Sequence, residues 1–329
     1  MNSFCVMFHH FHDFNRHICS QGSISSRQFK EMIYFLQSKY SVIDAEQWYL
    51  KALKSELLDN EIALSFDDAL SCQYEIAAPI LEEMNIKAFW FVYSSHLTGV
   101  PEKLEIFRDF RFRCFKDIDE FYNDFFTELQ NCSRKIDMDI DRELLKFDPK
   151  KYLSDFTFYT EKDRKFRFVR DIVLKTDKYY FIMQSLMSRF KYDIEKHKES
   201  LWIKKDELIK LHNSGHIIGL HSHTHPTSIG TMSCDEQMYE YKTNKEVLEN
   251  ILHSKIKTMS YPCNSYSRET DNILKKLDIE LGFDASMNVK QLNILHMRRT
   301  DHTDILKEME INENNSVYKQ SAKAYTLNK

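Results

Sequence analysis

The sequence predicts an α/β fold of parallel strands, arranged as a sheet or a barrel. Short apolar runs with strand propensity alternate with stretches of helical periodicity through the first hundred residues, and the alternation resumes after residue 204. The scarcity of glycine (6) and proline (5) among 329 residues favours long regular elements over a loop-rich chain. Together these observations predict repeated βα units.

Periodicity and capping residues assign the elements of the first hundred residues in order. They are a strand at 4–8, a helix at 26–39, a helix that is capped by Asp44 and runs to about residue 55, a strand at 61–66, a helix at 74–85 and a strand at 87–93. The alternation then stops at the turn-forming sequence Gly99-Val100-Pro101. This stretch supplies three of the expected parallel strands.

Residues 101–200 have a different character. They interleave charged and aromatic residues at helical spacing, contain no glycine and offer no convincing buried strand. We interpret them as a helical insertion in a discontinuous barrel domain at 1–100 and 201–312, which a polar tail at 313–329 follows. The remaining predicted elements are a helix ending at Gly215, a strand at 216–220, a helix opened by the capping box at 233–236, a strand at 258–260, a helix after Ser267 and a last strand at 293–299.

Charge and cysteine usage exclude several classes of protein. A formal net charge of -4 gives no broad basic surface for a nucleic acid. No apolar run is long enough for a membrane span, and the N-terminus lacks the basic start and apolar core of a signal peptide. The 7 cysteines are scattered and form no Cys-x-x-Cys pair, so neither a disulfide framework nor a thiolate zinc site is indicated. We therefore expect a cytoplasmic protein that binds no nucleic acid and is not an integral membrane protein.

The first chemical signal is a pair of adjacent acids at the end of a predicted strand. Asp67 and Asp68 close the apolar run at 63–66. In parallel sheets and barrels the ligand site lies at the carboxyl ends of the strands, and neighbouring side chains of an extended segment diverge. One carboxylate can therefore bind a metal while the other faces a water molecule, although a lone Asp-Asp pair can also simply cap a turn.

The second signal is a cluster of three histidines directly after another predicted strand: His221, His223 and His225. Histidine is the commonest neutral metal ligand, and two imidazoles four residues apart on a tight turn can reach one ion. With one of the two acids, His221 and His225 would form a site with open positions for water and a carbonyl oxygen. The alternative is a cluster that is merely exposed, and His223 is expected to be turned away from its neighbours.

A third segment, Tyr261-Pro262-Cys263, is a rigid turn after another short strand. Together the three segments resemble the motifs of the polysaccharide deacetylase family, the NodB-homology group or carbohydrate esterase family 4. Ser-Phe-Asp67-Asp68 is similar to Thr-Phe-Asp-Asp-Gly, with Ala69 in place of the glycine; His221-Ser-x-x-His225 matches His-Ser/Thr-x-x-His; the turn resembles Arg-x-Pro-Tyr. The opening Met-Phe-His9-His10 is similar to the Met-Tyr-His start of many members, and both histidines could line a cleft or be structural.

This resemblance implies a distorted (β/α)7-type barrel and a role for each matched residue. Asp68, His221 and His225 would hold a divalent metal, for which Zn²⁺ is the expected ion. Asp67 would be the base that takes a proton from the attacking water, and the backbone N–H of Cys263 would help to stabilise the oxyanion.

Two positions depart from the family pattern. The arginine that usually orients the catalytic acid is replaced by Ser260, and we predict that Arg299 supplies that charge from another strand. The late Leu-x-His motif, whose histidine protonates the leaving amine, has no clean match. We prefer His302 over His296, because His302 would lie just beyond the strand predicted at 293–299, whereas His296 would be buried within it.

The function that the resemblance implies is hydrolysis of a C–N (amide) bond, namely removal of the N-acetyl group of an acetamido sugar in cell-surface polysaccharide biosynthesis. The substrate would be an N-acetylated sugar, a nucleotide sugar or a glycan. The two departures keep an alternative open, a catalytically impaired deacetylase-like protein that binds carbohydrate or acts as a scaffold. Hydrolysis of an O-acetyl ester or a non-sugar amide would use the same motifs, because loops determine specificity.

Overall fold

The computed structural model describes residues 3–13, 15–153, 160–287 and 293–310. The chain divides into two compact units. The barrel unit consists of Met1–Glu102 and Ser200–Lys329, and the helical unit consists of Lys103–Glu199. The tail predicted at 313–329 lies outside the described residues.

Ten strands are described, and seven of them form one continuous parallel path. In chain order the strands are β1 (Phe4–Phe8), β2 (Phe11–His12), β3 (Ile24–Ser25), β4 (Ser41–Val42), β5 (Glu61–Asp67), β6 (Phe89–Val92), β7 (Ile217–Leu220), β8 (Thr258–Ser260), β9 (Leu281–Phe283) and β10 (Arg299–Asp301).

The strand order shows a nearly closed barrel. Its path is β10-β1-β5-β6-β7-β8-β9, β4 also pairs with β5, and β2 and β3 form a separate pair. A parallel bridge between Phe283 of β9 and Met297, which lies shortly before β10, joins the two edges of the sheet. The predicted α/β fold, a distorted parallel barrel, is therefore confirmed.

Helices surround the sheet and make up the helical unit. In chain order they are α1 (Ser26–Lys39), α2 (Ala45–Leu53), α3 (Ala78–Glu83), α4 (Lys103–Cys114), α5 (Ile118–Cys132), α6 (Ile140–Leu144), α7 (Glu161–Phe168), α8 (Lys175–Arg189), α9 (Ile194–Lys198), α10 (Lys205–Asn213), α11 (Cys234–Leu252) and α12 (Arg268–Lys276). Residues 302–310 are also helical. Among these described helices, none has the length and apolar character needed to cross a membrane.

The strands of the barrel are buried on both faces, as their continuous apolar sequences require. On one face the rings of Phe8 and Phe66 lie 5.4 Å apart, and those of Phe66 and Trp90 lie 4.4 Å apart. On the other face, Phe89 and Phe283 pack against Trp48 of α2. The two aromatic layers fix the strands whose carboxyl ends carry the predicted site.

The helical unit has an aromatic core of its own. The regular elements described within Lys103–Glu199 are all helices. Phe121, Phe125 and Phe166 are buried and in mutual ring contact, and the ring of Tyr179 lies against those of Phe125 and Phe166. These side chains therefore stabilise the unit rather than forming an exposed platform.

Several local predictions differ from the structure. The last strand begins at Arg299 and not at residue 293, because the Asn293 side chain accepts from the backbone N–H of Leu295 (2.7 Å) and holds a turn there. The predicted cap Asp44 precedes α2, but its carboxylate accepts instead from the backbone N–H of Lys87 (2.7 Å). Strand β9 was not predicted, since its position depends on pairing with β8 and not on a local pattern.

Candidate metal centre and active site

The carboxyl ends of β5 and β7 bring the first two motifs together. Asp67 is the last residue of β5, and Asp68 and Ala69 follow it with positive φ angles of 78° and 53°. His221 follows β7 directly, and His225 lies in the same loop. The left-handed turn after Asp67 makes the two acids diverge, as expected for neighbouring groups at a strand end.

Asp68 and two histidines form a candidate metal centre. The Oδ1 atom of Asp68 lies 3.3 Å from the Nε2 atoms of both His221 and His225, and the three ligand atoms all lie within 4.8 Å of one another. Within the described part of the chain, this is the one group of three or more His, Cys, Asp or Glu residues that could hold a metal. Asp68 Oδ1 is buried and has no hydrogen-bond partner there.

The hydrogen bonds of His221 indicate what completes this cluster. Its Nδ1 atom lies 2.9 Å from the carbonyl oxygen of Ser260, which can only accept, so Nδ1 carries a proton and donates it there. When the ring is neutral, the lone pair on Nε2 points at a carboxylate oxygen of Asp68, and His225 approaches the same oxygen. Lone pairs converging on a buried anion repel each other unless a cation lies between them. The donor set therefore fits a divalent metal ion.

Electrostatics keeps Asp68 and His225 in forms that bind metal, whereas for His221 burial is outweighed by the negative charges of Asp67 and Asp68, which raise its pKa. Burial alone would raise the pKa of Asp68, but the charges of His225 and His221 outweigh it and hold that pKa far below its usual range. Burial lowers the pKa of His225 to about 4. At neutral pH the carboxylate is thus ionised and this imidazole is neutral, which are the states that ligate a divalent cation.

Asp67, in contrast, is fully partnered. Arg299 on β10 forms a bidentate ion pair with it, with Nη1–Oδ1 and Nη2–Oδ2 distances of 2.7 and 2.8 Å. The hydroxyl of Ser260 lies 3.2 Å from Asp67 Oδ2 and also accepts from Arg299. Burial would raise the pKa of Asp67, but Arg299 and then His221 outweigh it, so the pKa is lowered. The guanidinium that the third motif lacks thus reaches the acid from the last strand.

Cys263 lies in the short helical turn Pro262–Asn264 that follows β8. It is exposed, and its φ of 50° places it in the left-handed region. The turn begins beside the metal centre, because Ser260 accepts from His221 and its hydroxyl contacts Asp67. The oxyanion role of the Cys263 backbone N–H stays a prediction.

The structure separates the two histidines that were considered as proton donors. His302 follows β10, as expected, but it is buried, its Nε2 bonds the Gly22 carbonyl (2.9 Å) and its ring stacks on Phe8. His296 is also buried, in the turn before β10 and not in a strand, and its two ring nitrogens each lie 3.1 Å from a carboxylate, Asp284 and Asp271. Neither ring has a recorded contact with the metal centre, so this arrangement does not favour the preference for His302.

His9 lies closer to the reacting groups than either of those histidines. It follows β1, its Nε2 atom is 4.0 Å from Asp67 Oδ2, and 29% of its side chain is exposed. The charge of its ring contributes to lowering the pKa values of Asp67, Asp68 and His225. His9 therefore lines the open side of the site.

Sequence reasoning missed three buried polar side chains that hold these loops. Asn244 of α11 accepts from the backbone N–H of His221 (2.9 Å), and Glu240, one turn earlier, accepts from the backbone N–H of His223 (2.9 Å). Gln73 donates to the carbonyl oxygens of both His9 and Asp67, at 2.8 and 2.6 Å. The signal in the sequence was polar residues at helical spacing on the buried face of α11, where a polar group needs a specific partner. His223 itself bonds Ser94 and is turned away from the metal centre, as predicted.

Fold and site together define the class of protein. A nearly closed parallel barrel of the NodB type carries, at its strand ends, two imidazoles and an acid around one point and a second acid paired with arginine. This is the architecture expected of a carbohydrate deacetylase.

Comparison with known proteins supports the same resemblance. The family model described as "Polysaccharide deacetylase" matches residues 177–282, which include His221, His225 and the turn at Tyr261. No curated protein matches the sequence of the chain. The resemblance to the polysaccharide deacetylase family is confirmed, and members of this family are hydrolases that act on the amide bonds of N-acetylated carbohydrates.

Three solved structures are similar over nearly the whole chain. The deacetylase PplD of Streptococcus pyogenes, in complex with acetate, is 15% identical with a TM-score of 0.52, and the match covers 92% of this chain and 92% of that one. IcaB from Ammonifex degensii is 13% identical with a TM-score of 0.54 and covers 91% of each chain. A de-N-acetylase from Aggregatibacter actinomycetemcomitans is 11% identical with a TM-score of 0.52, over 91% of this chain and 94% of that one. At these identities the likeness establishes the shared fold.

Proposed function

We propose that this protein is a metal-dependent deacetylase that hydrolyses the N-acetyl group of an acetamido sugar. The observation that carries the proposal is the buried, unpartnered oxygen of Asp68 facing His221 and His225, beside an ionised Asp67. Zn²⁺ is the proposed ion, because two imidazoles and one carboxylate are a typical zinc donor set that leaves a position open. When bound, a divalent cation of this kind lowers the pKa of water and polarises a carbonyl oxygen.

The chain's own groups would then move two protons. Asp67 takes one proton from the water as its oxygen bonds to the acetyl carbon, and Arg299 and Ser260 keep the carboxylate oriented for this transfer. As the C–N bond breaks, the leaving nitrogen needs a proton. The products are acetate and the free amine of the sugar.

His9 is the proposed donor of that second proton. Its imidazole is partly exposed and lies 4.0 Å from Asp67, whereas His302 is bonded to a backbone carbonyl and His296 lies between two carboxylates. An acid must reach the substrate, so accessibility favours His9 over the two buried rings. This proposal replaces the earlier preference for His302.

The pairing of Arg299 with Asp67 supports an active enzyme over the binding or scaffolding alternative. That alternative depended partly on the loss of the usual arginine at Ser260. A bidentate guanidinium from β10 orients the same carboxylate, and the interaction is fully buried.

The proposed substrate is a nucleotide-linked N-acetyl sugar or a glycan used in the synthesis of a cell-surface polysaccharide, and the proposed location is the cytoplasm. Acetate, the expected product, is the ligand in the PplD structure. All seven cysteines are free thiols, which supports a reducing compartment.

Release of free acetate tests the proposal. We expect the zinc-loaded protein to release acetate over many turnovers from either N-acetylglucosamine oligomers or a nucleotide-linked N-acetylhexosamine. The Asp67→Asn variant should be slower by about 10²–10⁴-fold, the contribution typical of a general base. Sugar binding without turnover by the parent would favour the scaffolding alternative, and equal rates of parent and variant would refute the role of Asp67.

A further inference from the structure

A short segment outside all the motifs lies against the metal centre. The return segment, which we define as Ser200–Ile203, begins the second part of the barrel unit. The backbone N–H of Ile203 donates to the carbonyl oxygen of Ala69 (2.9 Å), and the N–H of Ser71 donates to that of Leu201 (2.9 Å). An antiparallel bridge between Leu70 and Trp202 lies between these two bonds. The return segment thus pairs with the chain directly after Asp68.

This pairing fixes a strained turn. Asp68 and Ala69 both have positive φ angles, a conformation that is sterically unfavourable for most residues other than glycine. Such conformations persist only where the surrounding structure holds them firmly. Gln73 holds the carbonyl of Asp67 before the turn, and the return segment holds Ala69 and Ser71 after it. Without the second support, the turn that aims Asp68 could relax.

The same segment supports a second ligand through a side chain. The indole N–H of Trp202 donates to the hydroxyl of Tyr93, and both side chains are buried. The ring of Tyr93 lies 5.3 Å from the ring of His225. The ring of His96 stacks on Trp202 at 5.7 Å and also contacts the ring of Tyr93 at 5.3 Å. An indole, a phenol and an imidazole thus form one layer that ends at the metal centre.

We propose that the return segment is a positioning element for the metal ion, which sets Asp68 through the backbone and His225 through Trp202 and Tyr93. His221 has separate supports in Ser260 and Asn244. Two of the three ligands therefore depend on residues 200–203. This inference rests on the metal centre of the proposed function, but it concerns metal affinity and not turnover.

Zinc affinity of the full-length protein tests the proposal. We expect Trp202→Phe, which keeps an aromatic ring but removes the N–H donor, to weaken zinc binding about 10–100-fold, the usual cost of losing a group that orients a ligand. Tyr93→Phe removes the acceptor of the same bond and should have a similar effect. The two changes together should cost little more than one of them, because both break a single contact. Competition with a chromophoric zinc chelator measures all these affinities.

Trp48→Phe is the matched control. Trp48 is also buried and its indole N–H has no hydrogen-bond partner among the described residues, but it packs in the α2 core. The Trp48→Phe variant should have a lower free energy of unfolding but the same zinc affinity as the parent. Circular dichroism of each variant verifies folding, and Tyr93→Phe provides the conservative test should Trp202→Phe fail to fold.

The outcomes separate this inference from the proposed function. Unchanged zinc affinity in Trp202→Phe and Tyr93→Phe, or an equal loss in Trp48→Phe, overturns the positioning role even if the parent releases acetate. Weakened zinc binding in the two variants supports it even if no acetate is released. A parent protein that binds no zinc overturns both.

Discussion

Two adjacent acids, Asp67 and Asp68, have opposite surroundings. The carboxylate of Asp67 is neutralised by Arg299 and bonded by Ser260, whereas Asp68 presents a buried oxygen without a hydrogen-bond partner in the described structure. A buried anion requires compensation: Asp67 receives it from a permanently charged guanidinium, whereas the described polar contacts of Asp68 Oδ1 are the ring nitrogens of His221 and His225. The difference supports the proposed division of roles, in which Asp67 is held by the protein as a base and Asp68 ligates a metal ion.

Removing His9 tests whether the groups around Asp67 carry out the proton transfers. We expect His9→Gln to lower the rate of amide hydrolysis about 10²–10⁴-fold, because the leaving amine then lacks its acid. Hydrolysis of an aryl acetate, whose leaving group needs no proton, should change little, and zinc affinity should stay within a few-fold of the parent. Steady-state rates with both substrates measure the effect. An equal loss on the ester and the amide contradicts the assignment.

Removing the partner of Asp67 should make it resemble an uncompensated anion. We expect Arg299→Gln to lower the free energy of unfolding by about 3–5 kcal/mol, since it leaves a buried carboxylate unpaired. The double variant with Asp67→Asn should regain most of that loss. Urea unfolding of the metal-free proteins measures both. A cost below about 1 kcal/mol for the single variant would mean that the pair contributes little.

A histidine at the other end of β7 sharpens the contrast with His221. His216 accepts from the backbone N–H of Ala88 (3.0 Å), and burial, with the charge of Lys87, lowers its pKa to about 4. In the unfolded chain this imidazole has a pKa of about 6.5. Between about pH 4 and pH 6.5 the unfolded chain therefore binds more protons than the folded chain. This contribution to stability is complete above the unfolded pKa and is lost as the pH falls from about 6.5 towards about 4.

We therefore expect His216→Gln to flatten the acid loss of stability in that window. Urea unfolding of the metal-free protein at several pH values measures the slope for parent and variant. The cluster histidines are present in both proteins, so the difference isolates His216. Identical slopes would contradict a neutral, buried imidazole at this position.

The smallest expected effect concerns the turn that separates the two acids. Ala69 has a φ of 53°, where glycine has no steric penalty. We expect Ala69→Gly to raise the free energy of unfolding by about 0.5–1 kcal/mol. Ala52→Gly, within the helix α2, should instead lower it by a similar amount. A loss of stability in both variants would mean that the turn is not strained.

The sequence predicted most of the barrel because apolar strands and capped helices carry local signals. Residues 4–8 and 258–260 match β1 and β8 in full, and the capping box at Ser233 begins α11. The three-residue strand β9 and the start of β10 were missed or displaced, since their positions depend on pairing with distant residues.

The site was predictable where its residues belong to motifs. Asp68, His221 and His225 are adjacent in space, and Arg299 was found because a lost charge had to be replaced. The identity of the proton donor stays a proposal: His302 is buried and His9 is partly exposed, and the sequence does not report burial at a single position. Gln73 and Trp202 were missed because their bonds to His9 and Tyr93 join segments that are remote in the sequence.

Zinc binding by two single variants tests the central claim most directly. Isothermal titration should give one zinc per parent chain. Asp68→Asn should weaken binding at least about 100-fold, because it removes a charged ligand, whereas Asp67→Asn should stay within a few-fold of the parent. A parent that binds no zinc, or an equal loss in both variants, would contradict the division of roles between the two acids.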